Sequence, residues 1–146
     1  MQNTKQEKPF MNTKLLEKAN KMIAARENVA LAVVDEDGYP CVCAMTLCNP
    51  ETVSQLFMTT TLDSNKARCL QNNSKASICC YSDLNNITLV GECKVLTDQA
   101  IKDKCWQGWF QEIYTGGKTD PNYCVIQFTT KRAALCIDEE VAAFAL

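Results

Sequence analysis

Apolar and polar residues recur along the chain with helical and strand-like periods. Over Met11–Arg26, apolar residues return every three or four positions with lysines between them, which predicts an amphipathic helix. The apolar stretches 29–34 and 39–48 then enclose the turn sequence Asp35-Glu36-Asp37-Gly38. Since the closing glycine suits a left-handed turn position, we predict a β-hairpin with Pro40 at the start of its second strand.

The same periods predict further strands and two more helices. A short helix is predicted over Ser64–Asn72, and a long one over Asp98–Ile113, where apolar residues fall four apart. Gly91 lies within a predicted strand, so we expect a bulge or the close approach of another backbone there. The apolar residues 141–146 are expected to pack on the body of the protein. The remaining predicted strands are Leu56–Thr61, Ala76–Ser82, Asn86–Leu96, Tyr123–Thr130 and Ala133–Ile137.

Six or seven strands joined mostly by short links, with few helices, indicate a mainly β, α+β fold. We predict an antiparallel barrel with peripheral helices. A doubly wound α/β fold is disfavoured, because strands and helices do not alternate regularly and no glycine-rich nucleotide motif is present. The 146 residues fit one domain over residues 11–146, preceded by a flexible tail over residues 1–10.

Composition and charge exclude several classes of function. A formal net charge of −2 without a basic cluster argues against nucleic-acid binding. The sequence has no run of the roughly 20 apolar residues needed to cross a bilayer, and its start lacks the apolar core of a signal peptide. We therefore expect a soluble cytoplasmic protein without a membrane partner.

Ten cysteines and no histidine narrow the chemistry further. Several cysteines lie in strand-like apolar runs and are interpreted as small buried hydrophobes rather than as disulfides. The absence of histidine and of any CxxC pair argues against a metal site, and it removes catalytic dyads and triads built on imidazole. Catalysis is thus left to carboxylates, lysines, tyrosines or a cofactor, and the sequence identifies no catalytic residue.

Polar side chains are concentrated in the segment TTTLDSNKARCL, residues 59–70, where a strand gives way to a helix. A helix capped by Asp63 or Ser64 leaves its first backbone amides without intrahelical acceptors, and these amides with the helix dipole suit a phosphate. Taken alone, the pattern is more typical of an ordinary cap followed by a solvated lysine. The residues placed to donate to a phosphate are Thr60, Ser64, Asn65, Lys66 and Arg68.

Four sequence blocks, in this order, resemble the pyridoxamine-phosphate-oxidase-like, flavin-binding split-barrel family, especially its small general-stress-protein branch. They are VALAVVDEDGYPCVCAM, LFMTTTLDSNKARCLQNN, ITLVGECKVL and CWQGWFQEIYTGGKTDPNY. The resemblance covers roughly residues 28–138. It implies a split barrel of six to seven antiparallel strands with peripheral helices, FMN as the cofactor and a homodimer with flavin at the interface.

The resemblance also implies roles for particular residues. Ser64 and Lys66 correspond to residues that hold the flavin phosphate, and Asn65 lies between them. Asn86 stands near a position that contacts flavin in some members. Trp106 and Trp109 are placed to wall the pocket from the partner chain, although packing within the apolar stripe of their own helix is equally expected for one of them. The residues implied along the flavin are Cys43, Ala44, Met45, Thr46, Thr59 and Thr60.

The chain departs from the family at two places. Cys43 stands where many relatives carry arginine, and residues 135–138 replace a tyrosine-tryptophan-aspartate tripeptide. These departures predict weaker flavin binding. The basic substrate residues of the full pyridoxamine-phosphate oxidases are also not found, which disfavours vitamin B6 oxidation.

Three functions follow as hypotheses. The leading one is a flavin-dependent oxidoreductase that acts on a small molecule. The alternative is a module that binds flavin or another phosphorylated ligand without turnover. A third is thiol-based redox sensing through Cys41 and Cys43, whose spacing of two places them on one face of a strand, although buried inert thiols are more typical there.

Overall fold

A computed structural model describes residues 13–146. The predicted tail and the first two residues of the predicted first helix lie outside the described residues. Two short 3₁₀ helices, Gly108–Glu112 and Gly117–Thr119, accompany three α-helices and seven strands. These are α1 (Thr13–Ala24), β1 (Asn28–Val34), β2 (Pro40–Thr46), β3 (Gln55–Thr61), α2 (Asn65–Asn72), β4 (Lys75–Ser82), β5 (Asn85–Leu96), α3 (Gln99–Cys105), β6 (Tyr123–Ile137) and β7 (Glu140–Ala145).

The seven strands form one antiparallel sheet in the order β2-β1-β4-β5-β6-β3, with β7 beside β6. The two ends of this order meet through a bridge between Leu47 and Met58, where the Cys48 amide donates to the Phe57 carbonyl at 2.8 Å. The sheet thereby closes into a barrel just after β2. This confirms the predicted mainly β, antiparallel barrel with peripheral helices.

The barrel interior is filled by alternate residues of each strand. In β1, Val29, Leu31 and Val33 are buried, as the period of two in a strand requires. Helix α1 packs against β6 and adds a buried stripe four residues apart, Leu15, Ala19 and Ile23, to the same core. The longest described helix is α1, with 12 residues, and no described helix has the length and apolar character needed to cross a bilayer.

The predicted long helix Asp98–Ile113 is wrong in its second half. Helix α3 ends at Cys105, Trp106 and Gln107 are extended, and a 3₁₀ helix follows from Gly108. Glycine disfavours helix continuation by about 1 kcal/mol relative to alanine. The extended residues turn the Trp106 ring onto Phe110 and Tyr123, with centroids 5.7 and 5.5 Å away. The helix therefore ends at Cys105, because these rings pack outside β3 and β6 instead of along one face of a longer helix.

Two predicted strands, Tyr123–Thr130 and Ala133–Ile137, are one continuous strand, β6. The exposed Lys131 and Arg132 do not interrupt it, because β5 pairs with β6 on both sides of them. The predicted apolar tail is strand β7, which pairs with the second half of β6. The two residues between them, Asp138 and Glu139, have φ values of 52° and 66°, as a tight hairpin of this twist requires.

Gly91 lies at a bulge, as predicted. The register of β5 against β6 shifts between Val90 and Gly91, and the backbone of Thr129 comes close at this point. A β-carbon built on Gly91 would lie 2.1 Å from the Thr129 carbonyl oxygen. Because backbone cannot move aside as a flexible side chain can, glycine is required here.

We expect Gly91→Ala to lower the free energy of unfolding by about 1–3 kcal/mol, the usual cost of overpacking. Gly108→Ala is the matched control, since its new methyl group would meet no atom within 4 Å. Urea unfolding monitored by circular dichroism measures both. Equal stability of the two variants would contradict the close approach at Gly91.

Candidate functional site

The barrel is open between β2 and β3. Continuing the register from the bridge between Leu47 and Met58 would place Thr46 opposite Thr59, but no ladder pair joins the strands there within residues 13–146. Every second residue of such an edge directs its N–H and C=O away from the sheet. This opening, called the split below, is therefore lined by backbone donors and acceptors. The predicted residues Cys43–Thr46 and the predicted threonines of β3 flank it from opposite sides.

Helix α2 begins beside the split, and Ser64 rather than Asp63 is its cap. The Ser64 hydroxyl oxygen accepts from the Ala67 amide and from the Thr60 hydroxyl, each at 3.2 Å. With its oxygen accepting twice, the Ser64 hydroxyl has its own hydrogen left to donate. The first-turn amides of Asn65 and Lys66 have no acceptor within their helix. A donor-rich corner is thus formed at the start of α2.

Asp63 is held away from this role by Asn122, which lies in the loop before β6. The Asp63 amide donates to the Asn122 side chain and the Asn122 amide group donates to the Asp63 carboxylate, both at 3.2 Å. Hydrogen bonds from Thr61 and Asn122 lower the pKa of Asp63. This pairing fixes the loop between β3 and α2. No sequence pattern predicted this pairing, because Asn122 belongs to a turn 59 residues away.

Lys66 is in the first turn of α2, beside the split. Its positive charge acts on the thiols of Cys43 on β2 and Cys124 on β6, where it opposes the effect of burial on both pKa values. Burial still dominates, so the pKa of Cys43 is raised and that of Cys124 rises to about 11. The charge of Lys66 therefore acts on thiols of both β2 and β6, and the residue is half-buried.

Arg68 and the side chain of Asn65 face a different neighbourhood. Both line a cleft of about 380 Å³ together with the acidic hairpin turn Asp35–Asp37. Arg68 is exposed and lowers the pKa of Asp63 through its charge. The second positive charge expected beside Lys66 thus lies near carboxylates, and Asn65 lines the same cleft.

An aromatic cluster covers the outer side of β3, next to the split. Tyr114 is buried and its hydroxyl hydrogen-bonds to the Thr59 side chain, a contact that the sequence did not suggest. Trp106 is half-buried in this cluster, which makes it the tryptophan that packs within its own chain. Trp109 is 48% exposed and shares a cleft of about 520 Å³ with Thr46 and Asn28.

Asn86 does not join the other predicted residues. It lies on the outer surface of the sheet, where it is paired with Tyr81 and with Cys136 and is exposed. Ala44 also faces outward, into a cleft of about 650 Å³ that runs over β1, β2 and β4. Within one chain, the structure brings together Cys43, Met45, Thr46, Thr59, Thr60, Ser64 and Lys66, and it leaves Asn86 on another surface.

Two solved structures are similar to this chain over nearly their whole length. One is a protein related to general stress protein 26 of Bacillus subtilis, of the pyridoxinephosphate oxidase family, from Clostridium acetobutylicum. Its identity is 22%, its TM-score is 0.82, and the match covers 93% of this chain and 97% of that one. The other is general stress protein 26 from Bacillus anthracis, with 22% identity, a TM-score of 0.77 and coverages of 90% and 98%. At these identities the likeness shows the fold.

None of the curated proteins compared with the chain matches it. The family model described as pyridoxamine 5'-phosphate oxidase like matches residues 14–139, which include the first six strands and end just before β7. The resemblance drawn from the four sequence blocks is thereby confirmed. The chain belongs to the pyridoxamine 5'-phosphate oxidase-like family.

Proposed function

We propose that the chain binds FMN in the split, with the phosphate at the start of α2. The observation that carries this proposal is that the charge of half-buried Lys66 acts on thiols of both β2 and β6, two residues after a serine whose hydroxyl hydrogen is available. Two first-turn amides complete a set of donors without a carboxylate among them, since Asp63 is engaged by Asn122. Such a set fits a phosphate dianion.

The residues around the split would each have a limited task. Lys66 and Ser64 bind the phosphate, and Thr60 orients the Ser64 hydroxyl through its own hydrogen bond. The edges of β2 and β3 offer backbone groups to the polar rim of the ring. Because Cys43 is neutral where many relatives carry arginine, Lys66 and the helix dipole bear most of the phosphate charge. When bound, flavin supplies hydride and electron transfer chemistry.

A homodimer belongs to the same proposal, and the outer face of the sheet supports it. This outer face consists of the outward residues of β2, β1, β4, β5, β6 and β7. It exposes three large apolar side chains, Val42, Tyr81 and Val141, to 69%, 71% and 78%. Small residues lie between them in paired register, namely Ala30, Ala44, Cys79, Ala134 and Ala143. Apolar surface of this extent marks an interaction site, and Asn86 would then approach the partner's flavin.

An oxidoreductase that acts on a small molecule is the activity we infer for this site. The absence of histidine is compatible with it, because the reactive atoms belong to the cofactor. The clefts near Thr46 and Trp109 on the outer side of β2 offer a place for the second reactant. A flavin-binding module without turnover remains the alternative, and the prediction on flavin reduction separates the two.

We expect Lys66→Ala to weaken FMN binding by about 1.5–3 kcal/mol, or roughly ten- to a hundredfold, since a charged hydrogen bond is lost. Fluorescence titration of FMN measures the change. Lys118→Ala, on an exposed 3₁₀ helix, is the control for loss of one positive charge and should leave the titration curve in place. An unaltered curve for Lys66→Ala would remove this lysine from the site.

Purified protein incubated with FMN should retain a flavin absorption band after desalting. Under anaerobic conditions, NADH or NADPH should bleach the band and an added acceptor should restore it repeatedly. Retained flavin that neither nucleotide reduces would assign the chain to the non-catalytic alternative. No retained flavin and no measurable FMN binding would overturn both.

For the homodimer, we expect Val42→Glu and Val141→Glu to shift the protein toward monomer, because each would bury an unpaired carboxylate between the outer faces. Light scattering coupled to size exclusion measures the mass. Ala100→Glu, on the exposed surface of α3, controls for the added charge and should stay dimeric. A monomeric native chain would refute the interface.

A further inference from the structure

Two cysteines that are distant in the sequence are in contact outside the barrel. Cys48 follows β2 at the point where the barrel closes, and Cys105 is the last residue of α3. Their thiols are hydrogen-bonded to each other. Since both are free thiols in the described structure, the two cysteines form a dithiol pair.

The surroundings of this dithiol combine burial with access for a small molecule. Each cysteine is 3% exposed and belongs to the aromatic cluster that contains Phe110 and Trp106. Both also line a cleft of about 230 Å³, whose rim includes Asn49, Glu51 and Lys104. A molecule the size of hydrogen peroxide fits in this cleft.

The two thiols differ in their acidity. The hydrogen bond from Cys48 lowers the pKa of Cys105, burial acts against it, and Lys104 lowers it further. The same hydrogen bond and burial raise the pKa of Cys48. Cys105 is therefore the better nucleophile of the pair, because the thiolate is the reactive form, and Cys48 remains its protonated donor.

Cys41 and Cys43, the pair suggested by their spacing in the strand, are both less acidic than an ordinary thiol. Burial and a hydrogen bond to Asp35, at 3.6 Å, raise the pKa of Cys41, and burial raises that of Cys43. Both shifts keep these thiols protonated and unreactive at neutral pH. Nothing in the described residues singles them out as a reactive pair, whereas Cys48 and Cys105 have both contact and a common cleft.

We propose that Cys48 and Cys105 form a redox-active dithiol that a peroxide converts into an intramolecular disulfide. The Cys105 thiolate attacks the peroxide, so that an S–O bond forms, the O–O bond breaks and the leaving oxygen takes a proton. The Cys48 sulfur then displaces hydroxide from the sulfenic acid of Cys105, and the Cys48 proton leaves with it as water. Two thiols lose two electrons, and the peroxide is reduced by two.

The disulfide would join the segment after β2 to the end of α3. Trp106 follows Cys105 directly and packs on Tyr123 and Phe110, so oxidation would restrain the cluster beside Thr59. This proposal does not depend on flavin binding, because neither cysteine lies in the split. It can hold or fail whatever ligand the split accepts.

Peptide mapping of the full chain provides the test. Reduced protein is treated with one equivalent of hydrogen peroxide, alkylated under denaturing conditions and digested with trypsin. Cleavage after Lys104 and Lys118 releases Cys105 in a peptide without another cysteine, and Cys48 is in the peptide 27–66. We expect most oxidised Cys105 to be found in a cross-link between these peptides, reversed by dithiothreitol.

Variants identify the partners. Cys48→Ala should abolish the cross-link and leave a sulfenic acid on Cys105 that dimedone traps, although Cys41 and Cys43 remain in the same peptide. Cys79→Ala, which alters an exposed cysteine, is the control and should cross-link like the native chain. Cross-linking of Cys105 that survives in Cys48→Ala would overturn the proposal. So would a native chain in which Cys79 is oxidised while Cys48 and Cys105 are both recovered alkylated.

Discussion

The incomplete pairing of β2 with β3 is the constraint on which the candidate site depends. One bridge between Leu47 and Met58 holds the barrel closed, and the strands separate from that point. A closed ladder would satisfy the backbone groups of both strands internally and would leave no room for a ligand between them. The opening beside the start of α2 instead has unpaired backbone groups of β2 and β3, the hydroxyls of Thr60 and Ser64 and the ammonium of Lys66 around it. The candidate site thus arises from a ladder that does not form between β2 and β3.

Several contacts keep this opening in a defined shape. Asn122 binds the loop before α2, Thr60 positions the Ser64 hydroxyl, and Tyr114 binds Thr59 from the outer side. Thr60 acts within the segment 59–70, whereas Asn122 and Tyr114 hold the segment from outside it. Preorganisation of this kind lowers the cost of ordering side chains when a ligand binds. Lys66 is the long, flexible member, and it is half-buried.

Local patterns predicted much of the fold, and for a physical reason. The hairpin around Gly38, the cap of α2 and the bulge at Gly91 all depend on residues adjacent in sequence, so their signals are present in short windows. The predicted helix beyond Cys105 failed, because ring packing against Tyr123 on β6 outweighs the helical period. The site shows the same division. Ser64 and Lys66 were found through their segment, whereas Asn122 and Tyr114 act across the fold.

The cysteines show that spacing in the sequence does not predict the acidity of a thiol. Cys93 is buried without a compensating neighbour, and burial raises its pKa to about 12. Cys105 has the same exposed fraction, 3%, but a hydrogen bond from Cys48 and the charge of Lys104 lower its pKa. The main cause of this difference in pKa is Cys48, which the closure of the barrel brings next to Cys105. The bridge beside the split therefore also fixes the segment that carries Cys48, so the proposed ligand site and the proposed dithiol both depend on the same closure.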